Sequence, residues 1–296
     1  PYRRQRQMCI RDSTYSLPVG GFPQVAGINF TLSTAVAYDA NAETYPASTY
    51  YGPKSINRVV INSINGKEFK ADDTYAVVTN NFVAGGGDTY YAFAAASAQF
   101  DTGIPLDEAV MEYVTTELKG VIGAQYAAPQ GRILLNPFKD VKASSWFGKY
   151  VIDLYNDGII NGTSATTYAP NDTLTWAAAL KLLLVSNGDL KAADATGADW
   201  SKNVIAKAAE LGLVAADLDG AKAISRLEFC QVAAKLNKLA ESKTESKFTD
   251  CTDGYVMALV DAKVINGMTE TTFEPAASLT RAQIAKIIYQ LNLIEK

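Results

Sequence analysis

Histidine is absent from all 296 residues. Without it no Ser–His–Asp or Cys–His nucleophile set can be built, and no imidazole can hold a metal. The acidic residues do not cluster at metal-ligand spacing either. Cysteine is scarce, and three residues are too few for a disulfide framework. Neither sign of charge dominates: 27 basic and 31 acidic side chains leave a formal net charge of −4. Gripping a nucleic-acid backbone takes a basic footprint, so no nucleic-acid partner is expected. No apolar run reaches membrane-spanning length, and there is no signal-peptide hydrophobic region. The rest is ordinary globular material, 48% apolar and 20% charged, with length enough for two domains.

What is present is a repeat. Residues 260–288, VDAKVINGMTETTFEPAASLTRAQIAKII, read as a helix end, a glycine turn, a loop closed by Phe273 and Pro275, and a new helix. Thr280 and Gln283 form a capping box there, the hydroxyl taking a first-turn N–H and the amide reaching back. Arg281 then occupies the first helical position, where the helix dipole disfavours a cation. An anion held by the free N–H groups would relieve that conflict. NDGIING at 156–162 answers AKVING at 262–267, and TYAPNDTLTWAA at 167–178 answers TFEPAASLTRAQ at 272–283. A worn copy lies between them, with AELGLV at 209–214, AISRLEF at 223–229 and a second capping box at Ser225 and Glu228. The lead-ins are FKDV at 138–141, GADW at 197–200 and FTDC at 248–251. Phe138 and Phe248 stand 110 residues apart, two periods of 55, which describes an array of like two-helix units.

These motifs, in this order, resemble the S-layer homology (SLH) domain in three copies, at 136–190, 191–243 and 244–296. The resemblance implies an all-α, pseudo-threefold bundle. Its grooves would bind an acidic, often pyruvylated, secondary cell-wall polymer and place the protein outside the cell, on the cell wall or S-layer. The family's helix start is Thr-Arg-Ala-Glu, which makes Arg226 and Arg281 the polymer-binding residues. Copy one reads Thr175-Trp176-Ala177-Ala178 instead and lacks the arginine. Spacing reads Trp146, Tyr150 and Leu154 as bundle core. Cys230 and Cys251 read as small buried apolar residues, with a bridge between them as the alternative at a cell surface.

The amino-terminal part is different. In residues 1–13, Met8 to Ser13 resembles the translation of a transposon mosaic end used in sequencing libraries, and the PYRRQRQ before it has no periodicity. This stretch is expected to be an artefact, or else a basic arm, and the gene to extend upstream of Ser13. Within residues 14–135, the stretches at 21–32 and 56–83 alternate apolar and polar positions at period two, with a hairpin turn at Asn65-Gly66, and a helix is expected over 106–118. That pattern describes an α+β domain. The stretch from Thr79 to Tyr90, TNNFVAGGGDTY, sits at the end of an expected strand, and its triple glycine lets backbone approach a ligand closely. It lacks the GK[ST] of a P-loop. By itself Phe82 would read as core and Asp88 as a turn residue.

Together with GGFPQVAGINF at 20–30, however, this stretch resembles the C-terminal domain of the 5′-nucleotidases. That resemblance makes Phe22 and Phe82 the two rings that sandwich a nucleobase and Asp88 the acceptor for the ribose hydroxyls. Thr89 stands where the family has glycine, and Val25 where some members carry the first ring. Catalysis in that family belongs to a separate N-terminal domain holding two divalent metal ions. No cofactor is therefore expected in this chain, which should be inactive alone. The function that follows is the C-terminal part of a cell-surface nucleotidase-like hydrolase, with a nucleoside or nucleotide and the wall polymer as partners. The rival is a non-enzymatic surface-layer protein carrying the α+β domain as a binding module or spacer.

Overall fold

A computed structural model describes residues 24–36, 59–87, 90–94, 96–127 and 129–294. The chain forms two compact units, Pro1–Pro137 and Phe138–Lys296. Residues 1–13, Phe22, Asp88 and Thr89 lie outside the described residues.

The first unit is built on a four-stranded sheet in the order β3-β2-β1-β4. Strands β1 (Ile28–Ser33) and β2 (Val59–Ile64) pair antiparallel, with a bulge at Asn29/Phe30. Strand β3 (Lys67–Glu68) returns through Asn65 and Gly66, whose φ values of 50° and 74° are the two left-handed positions of a tight hairpin turn. Strand β4 (Ile133–Asn136) runs parallel to β1 and pairs Asn136 with Ser33. The first unit therefore keeps two residues beyond the expected division at 135. Phe30, Leu32 and Val59 form its buried core, with Val25, Ile28, Ile61 and Ile133 packed around them. Two short helices follow, α1 (Asn81–Ala84) and α2 (Tyr91–Ala94), and then α3 (Leu106–Glu112). Helix α3 runs on into a π-helical turn at Tyr113–Glu117, where the Thr115 hydroxyl bonds back to Met111 O at 2.8 Å. The strand expected before Thr79 does not form. A strand needs a neighbour for its ladder, no described strand lies beside residues 75–78, and Val78 is 94% exposed.

The second unit is helical. Copy one supplies α4 (Gly148–Asn156) and α5 (Trp176–Asn187), copy two α6 (Trp200–Glu210) and α7 (Arg226–Leu236), and copy three α8 (Gly254–Asp261) and α9 (Arg281–Asn292). Both capping boxes form as read: Ser225 and Glu228 exchange bonds of 2.8 and 3.2 Å, and Thr280 and Gln283 bonds of 2.9 and 3.3 Å. Thr175 caps α5. Gly158 and Gly212 follow α4 and α6 at φ 73° and 69°, as helix ends require. In copy two the buried lead-in residue is not in GADW. It is Ala195, in a 3-10 turn at Ala192–Ala195, buried like Val141 and Cys251 in the other copies.

The copies pack head to tail. Helix α5 of copy one lies on α6 of copy two, α7 on α8 of copy three, and α9 back on α4 of copy one. Short antiparallel bridges repeat this order: Thr175 with Ala223, Ser225 with Ser278, and Thr280 with Thr173. Leu174, Ile224 and Leu279, each one residue before a cap, are all buried. Trp146 departs from the expected core, being 58% exposed, whereas Leu154 is fully buried. Because α4 begins only at Gly148, the helical spacing counted from Trp146 does not apply.

Candidate functional site

In the first unit the sequence signal converges on α1. Asn80 caps it, accepting from Val83 N at 2.8 Å, and Gly86 turns left-handed at φ 91° just beyond. That turn brings the backbone back onto Phe82. A Cβ on Gly87 would sit 2.6 Å from the Cε1 and Cζ atoms of the Phe82 ring and 2.6 Å from its carbonyl oxygen. Gly87 is therefore required by close approach, and the ring it borders is 59% exposed. Phe82 is not a core residue. It presents an aromatic surface beside a glycine-rich backbone, the arrangement that stacking on a planar ligand needs. Gln99 ties α1 to α2, donating to Ala84 O at 3.1 Å and Phe93 O at 2.8 Å.

In the second unit the sequence signal converges on the joints between copies. At each joint the first two amides of one copy's second helix donate to carbonyls of the next copy. Trp176 and Ala177 reach Lys222 and Gly220 at 2.9 and 3.0 Å, and Arg226 and Leu227 reach Ala277 and Pro275 at 2.8 and 3.0 Å. Arg281 and Ala282 reach Asp172 and Pro170, again at 2.8 and 3.0 Å. The free N–H groups expected to help hold an anion are thus already bonded, because the neighbouring copy supplies the acceptors.

The guanidinium groups are held in place as well. Arg281 lies over the Tyr168 ring at 4.5 Å and donates to Tyr168 O at 2.7 Å and Asn161 O at 2.9 Å. Arg226 lies over Phe273 at 4.8 Å and donates to Asn266 O at 2.8 Å and the Met268 sulfur at 3.2 Å. A π face with two carbonyl acceptors at Arg281, and with one carbonyl and a sulfur at Arg226, offsets the dipole penalty at a helix start. Arg226 is buried, its Nε has no acceptor, and burial lowers its pKa from the ordinary value. Burial pushes the Tyr168 hydroxyl up to about 12, and Arg281 partly offsets that. Trp176, at the corresponding position of copy one, is as buried as Arg226 and carries no charge.

Two further groups escaped the sequence reading. Asp140 accepts from the amides of Tyr168 and Ala169 at 2.9 and 2.7 Å, and Asp250 from those of Phe273 and Glu274 at 2.8 Å each. Their recurrence in FKDV and FTDC was the available signal. The second group closes copy three onto copy one: Lys149 donates to Asp153 at 2.5 Å and Tyr289 at 2.6 Å, with Tyr150 against the Tyr289 ring at 5.2 Å. Nothing in local spacing announces that cluster. Among the described residues no group of three or more His, Cys, Asp or Glu could hold a metal ion. No helix among them is long and apolar enough to cross a membrane.

Comparison with known proteins finds a family for segments of each unit. Residues 9–95 match the 5′-nucleotidase C-terminal domain, and residues 137–179 and 249–285 match the S-layer homology domain. The chain thus couples a nucleotidase C-terminal domain to S-layer homology domains, which place it at the extracellular cell surface or wall. It is 30% identical to an endoglucanase of Bacillus sp. (strain KSM-635) over 52% of this chain and 18% of that protein. It is 36% identical to a trifunctional nucleotide phosphoesterase protein of Bacillus subtilis (strain 168), over 43% of this chain and 8% of that protein. It is 39% identical to a surface-layer 125 kDa protein of Lysinibacillus sphaericus, over 26% and 7%. The chain therefore spans less than a fifth of the length of each of these relatives.

Proposed function

We propose that this chain is the C-terminal part of a cell-surface 5′-nucleotidase-like hydrolase, with a base-binding first unit and an anchoring second unit. The observation that carries the reading is the exposed Phe82 ring, set against Gly87 within a stretch that matches the nucleotidase C-terminal domain. Phe82 stacks on one face of the base, Phe22 on the other, and Asp88 accepts from the ribose hydroxyls. Hydrolysis belongs to a separate domain with a divalent di-metal centre. The residues here do not fit such a centre, since histidine is absent and the described acids form no ligand cluster. This chain's own part is to hold and orient the nucleoside end of the substrate.

The second unit is a pseudo-threefold bundle that binds an acidic, pyruvylated wall polymer through Arg226 and Arg281. Its support is the repeated cap-to-carbonyl joint, running from copy one to two, two to three and three to one.

Calorimetric titration of adenosine into the full chain tests the base-binding reading. Phe82→Ala should lose about 1–3 kcal/mol, the size of one base–aromatic stack. Unchanged affinity in that variant would sink the reading.

The similarity to a surface-layer protein favours a second reading, a non-enzymatic wall protein with the first unit as a spacer or ligand module. Upstream sequence carrying metal-ligand His and Asp motifs decides for the enzyme.

A further inference from the structure

We propose that Cys230 and Cys251 form a disulfide that ties helix α7 of copy two to the lead-in of copy three. Helix α7 packs on α8, which Cys251 precedes by three residues. Gln231, next to Cys230, donates to Asp253 at 2.7 Å, and Asp253 caps α8 two residues after Cys251. Both cysteines are buried at this joint, 0% and 8% exposed, and each is unbridged in the structure.

The other two joints supply the comparison. Counting from the helix caps, the counterparts of Cys230 are Leu180 and Ala285. Aligned on Asp140, Asp194 and Asp250, those of Cys251 are Val141 and Ala195. All four are buried apolar residues. A packing role alone is filled by ordinary apolar side chains at two joints, whereas at the third both positions are cysteine. The S-layer homology domains place the protein outside the cell, where disulfides persist.

Forming the Sγ–Sγ bond releases two protons and two electrons from the thiols. A small disulfide oxidant accepts both electrons as its own S–S bond breaks, and leaves as two thiols. Cys251, the less enclosed of the two, first takes a sulfur of the oxidant as a mixed disulfide. The Cys230 thiolate then attacks the Cys251 sulfur and expels the oxidant's thiolate. In the closed joint burial pushes the Cys230 thiol up to about 12, which suppresses that thiolate. The bond therefore closes during folding, before the joint excludes water.

The experiment uses the full chain with Cys9→Ser, refolded in a glutathione redox buffer, denatured without reductant, treated with iodoacetamide and mapped by mass spectrometry. The expected result is a single species linking the Cys230 and Cys251 peptides, with neither thiol alkylated. Reduction should then lower the melting temperature by about 6–12 °C, as expected for opening a loop of about 20 residues. Cys230→Ala with Cys251→Val installs the residue pair of the joint between copies three and one. That variant should fold, melt with the reduced parent and ignore reductant. Two alkylated thiols in the refolded chain, linkage only between separate molecules, or a linked chain whose melting ignores reductant would each overturn the proposal.

Discussion

Asp250 shows how one side chain can set a loop. Its carboxylate takes the amides of Phe273 and Glu274, and Glu274 is held left-handed at φ 60°, a conformation that disfavours any residue with a Cβ. Asp140 does the same for Ala169 at φ 58°. The backbone donors hold the Asp250 carboxyl below its ordinary value of 3.8. A depressed folded pKa contributes stability that is complete above the unfolded value and lost as pH falls through the folded one. Asp250→Asn should thus lower the melting temperature at pH 7, because its amide can accept only one of the two N–H groups. The gap to the parent should close as pH drops below about 3.8 and the parent's carboxyl is protonated. Melting curves from pH 7 to 2 check this, and a gap independent of pH would contradict it. The aspartates were visible in FKDV and FTDC, but their acceptors' partners lie 28 and 23 residues away and could not be read locally.

At the scale of elements, the turn after α8 is fixed by the space available to it. A Cβ on Gly267 would sit 2.4 Å from Thr269 O, 2.5 Å from Thr272 O and 2.5 Å from the Phe248 ring. Gly162 is enclosed in the same way in copy one. Gly158 differs: its φ is 73° but nothing lies within 4 Å of its would-be Cβ. Gly267→Ala must move backbone and should cost about 1–3 kcal/mol beyond any conformational penalty. Gly158→Ala should cost about 1 kcal/mol, from conformation alone. Urea unfolding of both variants ranks them, and equal losses would remove the close-approach argument. The NG turns were legible in the sequence, unlike the reason for glycine. Helix starts were legible too, since each cap uses residues three apart. Trp146 was misread because it precedes α4.

For the whole molecule, the copies of the second unit complete one another, as the proposed anchor requires. Arg281 reaches from copy three to two carbonyls of copy one, and Arg226 from copy two to one carbonyl and the Met268 sulfur of copy three. These arginines brace the joints and are also the cations proposed to meet the polymer. The full chain should sediment with polymer-bearing walls and lose that binding when the acidic polymer is stripped. Arg226→Ala with Arg281→Ala should release it and lower stability by about 2–3 kcal/mol per site, from lost cation–π and charge-assisted contacts. Trp176→Ala should leave wall binding intact at temperatures where circular dichroism shows the variant folded. Undiminished binding by the folded double-arginine variant would refute the cation role and leave only the bracing one.

The sequence by itself determined the local features: the 55-residue period, the caps at Ser225 and Thr280, the Asn65-Gly66 hairpin and the α+β pattern ahead of the helices. Each depends on residues a few positions apart, so its physics is complete within a short segment. Only the tertiary structure decided which copy meets which, because Arg281 finds Tyr168 across 113 residues and Arg226 finds Asn266 across 40. It also decided that the helix-start amides are bonded, that Trp176 is buried, and that Phe82 is exposed beside Gly87. Burial and hydrogen-bond satisfaction depend on which distant segments come to lie alongside, and no local spacing records that.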